Sequence, residues 1–583
     1  MNMLPQLKWF ILFAITGIIV VLLLNRYMPE RADTIYEHCR IYTMDADSSV
    51  AEAMAIARDK IVGIGTREYI ERKFRAKRTI DLGGKTVLPG LIDAHCHLFG
   101  LGLSRMTVDL LGTNSEEEAI VKIARQVAIA KPGQWIRGRG WDQNEWQTKS
   151  FPTKKSLDRI APNNPVYFVR VDGHACWVNT RALEISGVNR QTPEVPGGKI
   201  LYDAHGEPCG IFIDAAMELI YKFIPAPNEQ EMREAIQRAT EECASVGLTS
   251  VQEMGVDSTQ VELYKKMIDE NKFPLRVYAA IDGPGELWNT MKKEGKLVGY
   301  GNNKLTIGAL KLYVDGALGS RGAALIEPYS DDPTNRGLTF YAKEQLQNLV
   351  DESLEHGFQV CTHAIGDRAN HIILDAYESS LKKYQLQNAR LRVEHAQVLS
   401  PEDISRFRKL EILPSMQPTH CTSDMYWAEA RLGPQRIRGA YAWRSLLRTG
   451  VIIPSGSDFP VESPNPFFGI YAACTRQNKK GIPKNIDDIR KYFQCSAEGF
   501  SDSTAFMNGW YASEKMTRQE AVRGFTSWAA YASFEETLKG SLERGKLADF
   551  IIISKDIFCC PLMEIPDIQV ESTILGGALV FSR

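Results

Sequence analysis

The chain is 583 residues long, with 24% charged and 44% hydrophobic residues, Gly 45 and Pro 27. That composition excludes an intrinsically disordered chain, a collagen-like chain and a polytopic membrane protein. The formal net charge of −2 leaves no strong field to attract nucleic acid, so no nucleic-acid partner is expected. At roughly 100–200 residues per domain, the length allows several domains or one large enzyme fold with additions. Eleven cysteines are scattered from Cys39 to Cys560 without a CxxC pair. They read as buried core thiols rather than a disulfide framework.

The first element is Trp9–Leu24, sixteen residues without a charge. With Leu7 included and Lys8 and Arg26 snorkelling, it reaches the ~17–25 residues of a spanning helix. The reading is an N-terminal transmembrane helix over about residues 7–26 within an anchor of residues 1–30, tethering the protein to a membrane. A cleaved signal peptide is the rival, but the run is followed by Asn25, Arg26, Tyr27 and Met28, with no small-x-small site. The expected localisation is a single-pass protein of the endoplasmic reticulum or another endomembrane, the alternative being secretion after cleavage. Arg26 and Arg31 after the segment, against Lys8 before it, favour a cytosolic body. No asparagine lies in an N-x-Ser/Thr sequon.

Short β-like stretches and a glycine turn follow to Gly65. The basic run Arg72–Arg78 reads as a solvated helix face with Tyr69, Ile70 and Phe74 turned inward. From about residue 86, apolar strand-like runs alternate with helix-length stretches. They are Thr86–His95, Leu248–Gln252, Leu275–Ile281, Ile307–Val314, Phe358–His363, Leu391–His395, Ile412–Gln417 and Val451–Asp458. Alternation of β and α predicts an α/β fold with a parallel sheet, and eight strands predict a (β/α)8 TIM-like barrel. One interval, about 98–247, is far too long and reads as a large insertion. The tail, Lys546–Ile553 and Val570–Phe581, returns to short strands.

The strongest polar signals sit at the C-terminal ends of those strands, where a barrel builds its active site. His95 and His97 are two apart, which in a strand puts both imidazoles on one face and Cys96 on the other. Two neutral imidazoles on one face suit a borderline transition metal. His363, His395 and Asp458 each end a further strand. Lys311 lies in an otherwise apolar run, where an ammonium must be paired or lose its charge. A neutral lysine amine can take up carbon dioxide as a carbamate, which bridges two metals as a carboxylate does. The alternative is a salt bridge to Asp315 or a place at the strand rim. Two divalent ions ~3.5–4 Å apart would hold a hydroxide, with Asp458 orienting the parent water and passing its proton to a leaving nitrogen.

These residues resemble the amidohydrolase superfamily, in its amidohydrolase-3 branch. The resemblance is carried by VLPGLIDAHCHL (Val87–Leu98), GWDQNEW (Gly140–Trp146), PVYFVRVDGHACWVNT (Pro165–Thr180) and KLYVDGALGSRGA (Lys311–Ala323). THAIGD (Thr362–Asp367), RVEHAQ (Arg392–Gln397), SMQPTH (Ser415–His420), SGSDFPV (Ser455–Val461) and GSLERGKLAD (Gly540–Asp549) complete it. It implies a metal-dependent barrel over 86–539, with the insertion at about 98–247, and a small β-sandwich composed of 31–85 and 540–583. By resemblance, His95 and His97 bind one metal, Lys311 is the carboxylated bridge, and His363 and His395 bind a second. Asp458 is ligand and catalytic acid/base. His174, His420, Trp141 and Asp142, with Trp146, look like substrate-pocket residues. The implied cofactor is one or two divalent ions, zinc being the usual metal, with the carbamate on Lys311.

The function these readings give is a metal-dependent hydrolase of a non-peptide carbon–nitrogen bond, such as an N-acyl or N-formyl amide, acting on a small molecule through a metal-bound hydroxide. Two alternatives stand beside it: a signalling or scaffold protein that keeps the fold, and a hydrolase of an ester or lactone on the same barrel. Homo-oligomerisation is left open.

Overall fold

The structure is a computed structural model that describes Trp9, Thr16 and residues 29–143, 146–170, 175–195, 198–493 and 506–583. It divides into two compact units: the chain up to His97 together with Thr240–Arg583, and Leu98–Ala239.

The larger unit contains a parallel sheet of β1 (Leu91–Cys96), β2 (Leu248–Val256), β3 (Arg276–Asp282), β4 (Leu305–Tyr313), β5 (Gln359–Ala364), β6 (Arg392–His395) and β7 (Leu413–Ser415), each paired in parallel with the next. These strands are buried along nearly their whole length. That is why they read in sequence as near-continuous apolar runs rather than alternating ones. The stretch Ile453–Phe459 closes the circle. On one side the Met416 amide donates to the Pro454 carbonyl and Gly456 to Met416; on the other Ala94 donates to Ser455, Asp458 to His95 and His97 to Phe459. It is an eighth stave without being a continuous strand, because Pro454 has no N–H to give.

Local signals set the intervening helices. Asp257 and Gln260 form a reciprocal capping box at the start of Ser258–Asp269. Ser400 caps Pro401–Lys409, whose proline occupies the first turn, where its missing N–H costs nothing. Each strand therefore delivers its last residues to the same end of the barrel.

Both chain ends contribute to one hydrogen-bonded sheet of eight strands. Phe74–Pro89 pairs in parallel with Glu30–Tyr42 on one side and antiparallel with Phe550–Ile553 on the other, Val87 facing Ile552. The basic run is split between the helix Arg67–Lys73 and this strand; Ile70 and Phe74 are buried and Tyr69 is half-buried. The apolar run from Thr86 also breaks in two at Gly90. Its amide donates to the Asp549 carbonyl, and a Cβ there would lie 2.1 Å from the Thr249 hydroxyl. The chain thus leaves one sheet and enters the barrel at a residue without a side chain.

The smaller unit has its own six-stranded sheet, in the order Gly198–Tyr202, Pro208–Asp214, Ala175–Val178, Val166–Arg170, Ile136–Trp141, Val108–Asp109. Its core gathers Trp141, Trp146, Trp177 and Phe168 with Leu157 and Ile136.

One expectation is corrected. The segment read as a membrane anchor lies outside the described residues apart from Trp9 and Thr16, and no described helix is long and apolar enough to cross a membrane. A span needs about 20 apolar helical residues. The transmembrane helix of the expected fold is therefore not supported, nor are the membrane tether and the single-pass endomembrane localisation derived from it.

Candidate metal centre

β1 ends in alternation: His95 points into the barrel, and Cys96 points the other way with its thiol toward the Gln252 carbonyl. His95 Nδ1 lies 2.6 Å from Glu394 Oε2, which leaves Nε2 to face the cavity 3.5 Å from Asp458 Oδ1. His97 Nε2 is 3.2 Å from the same oxygen. His395 is oriented in the same way, its Nδ1 2.7 Å from Gln417 Oε1. In both cases an acceptor on Nδ1 fixes the ring and the tautomer, as the partners of metal-binding histidines do. The His363 and His395 rings are 4.5 Å apart, and His420 stacks nearly parallel to His395 at 6.0 Å.

Asp458 is held in place from below. The Asp93 carboxylate accepts the amides of His95 and Ser457 and the Ser457 hydroxyl, tying β1 to the closing stave. A Cβ at Gly456 would lie 2.5 Å from the His95 amide, so only glycine lets the two segments approach. Asp458 itself takes φ 60°, and His395 and Ala396 take φ 73° and 43°. Left-handed backbone at non-glycine residues is costly and concentrates at working sites.

Lys311 is 1% exposed. Asp315, the partner offered by the salt-bridge alternative, instead accepts the amides of Ala324, Ile365 and Gly366. No acceptor among the described residues takes a hydrogen bond from the Lys311 amine, whose Nζ lies 5.1 Å from the Tyr313 ring centre. Burial pulls the Lys311 pKa down. Burial, followed by the Lys311 charge, also lowers His95 to about 4 and His363 to about 3, and His395 falls well below its usual value. These are neutral imidazoles, the form that ligates metal. Burial works against the Asp458 carboxylate, but the surrounding imidazoles outweigh it and hold its pKa well below the ordinary range.

Among the described residues, His363 Nε2, His420 Nε2 and Asp458 Oδ1 are buried without a hydrogen-bond partner. They share one cavity of about 340 Å³ with His95, His97, His395 and Lys311. Ligand atoms converge within 4.8 Å in two groups, His95–His97–Asp458 and His395–His420–Asp458, which share the aspartate. Imidazole nitrogens around a carboxylate fit a zinc-class divalent ion. The second group takes His420 where the resemblance implied His363, whose Nε2 lies 3.6 Å from Asp315 Oδ1.

The sequence reading missed Glu394 and Arg392. Arg392 Nε lies 2.7 Å from Glu394 Oε1, both side chains are fully buried, and the guanidinium also reaches Gln252, the Ala94 carbonyl and Ser415. The available signal was charge density: three ionisable residues on a four-residue strand cannot all face solvent when the strand is central. His174 lies outside the described residues. Trp141 is fully buried in the core of the smaller unit, its Nε1 donating to the Phe168 carbonyl, and Trp146 packs beside it. Asp142 follows on the same unit, half-buried.

A model of the amidohydrolase family matches residues 78–581. YtcJ of Bacillus subtilis (strain 168) is 32% identical over 553 residues, covering 93% of this chain and 98% of that protein. Protein LONG AFTER FAR-RED 3 of Arabidopsis thaliana is 34% identical over 538 residues, covering 90% and 87%. The N-substituted formamide deformylase of Arthrobacter pascens is 28% identical over 577 residues, covering 95% and 99%. The crystal structure of an uncharacterized metal-dependent hydrolase from Pyrococcus horikoshii superposes with a TM-score of 0.73 at 26% identity, covering 91% and 99%.

Proposed function

The chain belongs to the amidohydrolase family and is a metal-dependent hydrolase, and from that premise we propose that it cleaves a non-peptide carbon–nitrogen bond in a small N-acyl or N-formyl amide. The observation that carries the proposal is Asp458. The surrounding imidazoles hold its carboxyl well below the ordinary carboxylate range, and its Oδ1, 3.2 Å from His97 Nε2, lines the cavity. A leaving nitrogen needs a proton to depart, and a carboxylate so placed can take one from water and return it. The nearly full-length similarity to a formamide deformylase supports the same bond class.

One or two zinc-class ions, when bound, supply Lewis acidity that acidifies water and polarises a carbonyl. The chain's own residues do the rest. His95, His97, His363 and His395 offer nitrogens to the ions, with Glu394 and Gln417 holding the rings of His95 and His395. Lys311, buried and without a hydrogen-bond acceptor among the described residues, could add carbon dioxide with loss of a proton, and the carbamate would offer the ions a carboxylate. His420 Nε2, without a hydrogen bond among the described residues, would donate toward the substrate oxygen. Asp458 moves the proton.

A turnover screen of N-acyl, N-formyl and N-carbamoyl compounds, with zinc and bicarbonate added and esters and lactones alongside, tests the proposal. Amide cleavage is the expected result; cleavage of esters alone would replace amide by ester as the bond. Metal analysis should find about one or two ions per chain. Lys311→Ala should lower that content and cut turnover severely, and wild-type turnover in that variant would remove the bridging role.

A further inference from the structure

The cavity above the metal centre has a charge pattern of its own. Besides the histidines, Lys311 and Asp458, its lining includes Asp424 and Glu462, with Tyr313, Leu318, Ile365 and Trp427 as apolar wall. Among the described residues, no arginine and no lysine other than Lys311 lines it. Trp427 is a fixed wall: the Arg431 guanidinium lies 5.6 Å from its ring centre, and a Cβ at Gly319 would meet the indole at 3.2 Å. Arg431 itself is engaged by Asp331.

Both carboxylates have capacity left over. Asp424 Oδ2 accepts from Gln397 at 3.0 Å and from the Tyr441 hydroxyl at 2.6 Å, while no donor among the described residues reaches Oδ1. Glu462 is half-buried with no hydrogen bond or ion pair among the described residues. Lys479, on which the Glu462 charge acts, has its ammonium 3.2 Å from the centre of the Phe468 ring. The Glu462 charge is felt at Asp424, whose pKa burial has already raised to about 6. Asp424 and Trp427 belong to one turn, the Trp427 amide donating to the Asp424 carbonyl. Two polar atoms on the same cavity, Asp458 Oδ1 and His420 Nε2, are buried without a hydrogen bond among the described residues.

Resting on the amide reading, we propose that Glu462, with Asp424 and the Trp427 wall, forms a subsite for a cationic nitrogen on the part of the substrate remote from the scissile bond. The substrate class is then an amide whose apolar body ends in an ammonium, and amides ending in a carboxylate are refused. A carboxylate entering this cavity would meet like charge with no guanidinium among the described lining residues to receive it, which is discrimination by repulsion as well as attraction. The cavity volume of about 340 Å³ sits at the small end of ligand pockets, so body and charge are both short.

Three N-formyl amines of equal size, ending in an ammonium, a hydroxyl or a carboxylate, separate the possibilities on the full metal-loaded chain. Their kcat/KM should fall in that order, and calorimetric binding of the three parent amines should follow it. Glu462→Gln should shrink the ammonium-over-hydroxyl ratio about fivefold, the scale of one partly exposed charge pair. Glu462→Lys should favour the carboxylate compound. A carboxylate that is turned over or bound best by the wild type, or a ratio unchanged in Glu462→Gln, overturns the subsite. Ordered binding without any amide cleavage overturns the amide reading alone, and amide cleavage without the ordering overturns the subsite alone.

Discussion

The two ends of the barrel treat buried charge in opposite ways. At the end where strands begin, every prominent buried ion is paired. Arg276, at the start of β3, makes a two-pronged contact with Asp549, Nε to Oδ2 at 2.6 Å and Nη2 to Oδ1 at 2.9 Å, and gives its third nitrogen to the Asn302 and Asn303 carbonyls. Arg390, just before β6, does the same with Glu536 and lies flat on Tyr531 at 3.6 Å. At the end where strands finish, His363, His420 and Asp458 keep buried polar atoms that make no hydrogen bond among the described residues. Each such atom costs about 1–3 kcal/mol in desolvation, and a fold does not retain several together unless something arrives to satisfy them. Paired charge at one end builds the scaffold, and unpaired charge at the other is the part left for ligand.

Breaking one end should therefore damage chemistry, and breaking the other should damage folding. Asp458→Asn is expected to lower kcat on an amide by about 10²–10⁴-fold, the usual worth of a positioned acid/base. Its melting temperature should fall far less than kcat does, because the asparagine fills the same volume and the Asp93 contacts that tie the closing stave to β1 are untouched. A steady-state assay beside a thermal melt decides this, and a melt that drops with kcat would assign Asp458 to the scaffold. Arg276→Met should do the reverse. It strands the Asp549 carboxylate and should cost about 3–5 kcal/mol in urea unfolding, while the folded fraction keeps its metal content and its kcat. Glu394→Gln tests the boundary between the two ends, since Glu394 is paired to Arg392 yet holds His95. A ten- to hundredfold weaker metal affinity, read by competition with a chelator, is the expected outcome. Unchanged affinity with lost stability would return Glu394 to the scaffold.

The same division explains what was legible in the sequence. His95 and His97 could be read because strand period fixes which face a side chain takes, and His363 and His395 because each ends an apolar run. Those signals are local. The Arg392–Glu394–His95 chain was not legible, because it runs between β6 and β1, some 300 positions apart. His420 reads as a pocket histidine, but its convergence with His395 and Asp458 depends on the turn after β7. Gly90 divides what reads as one strand, and Pro454 interrupts another, because the burial of a run does not say which sheet it joins. The six-stranded sheet of the smaller unit was legible only as an interval too long for a loop. Trp141 and Trp146 read as pocket walls, and they lie in that unit's core, since an aromatic residue beside polar neighbours carries no sign of which way it faces. Hydropathy at Trp9–Leu24 suggested a span that no described helix supports.

Glu429 gives the smallest and sharpest test, because it belongs to neither end. It lies in the helix Ala428–Arg436, buried, and among the described residues only the Tyr511 hydroxyl, 3.4 Å away, donates to it and no cation pairs with it. Burial raises its pKa to about 7, against about 4.5 in the unfolded chain. The folded state therefore binds more protons than the unfolded state between those values, and stability falls as pH rises through that window. The contribution is fully present below about pH 4.5 and gone above about pH 7. Glu429→Gln keeps the neutral form at every pH. The melting temperature of the variant minus that of the wild type should be small and constant near pH 4.5, grow as pH rises through 7, and level off above. The metal content should not change. A difference that is flat across the range would mean that Glu429 is ionised and paired in the fold, and that unpaired buried charge is confined to the metal end after all.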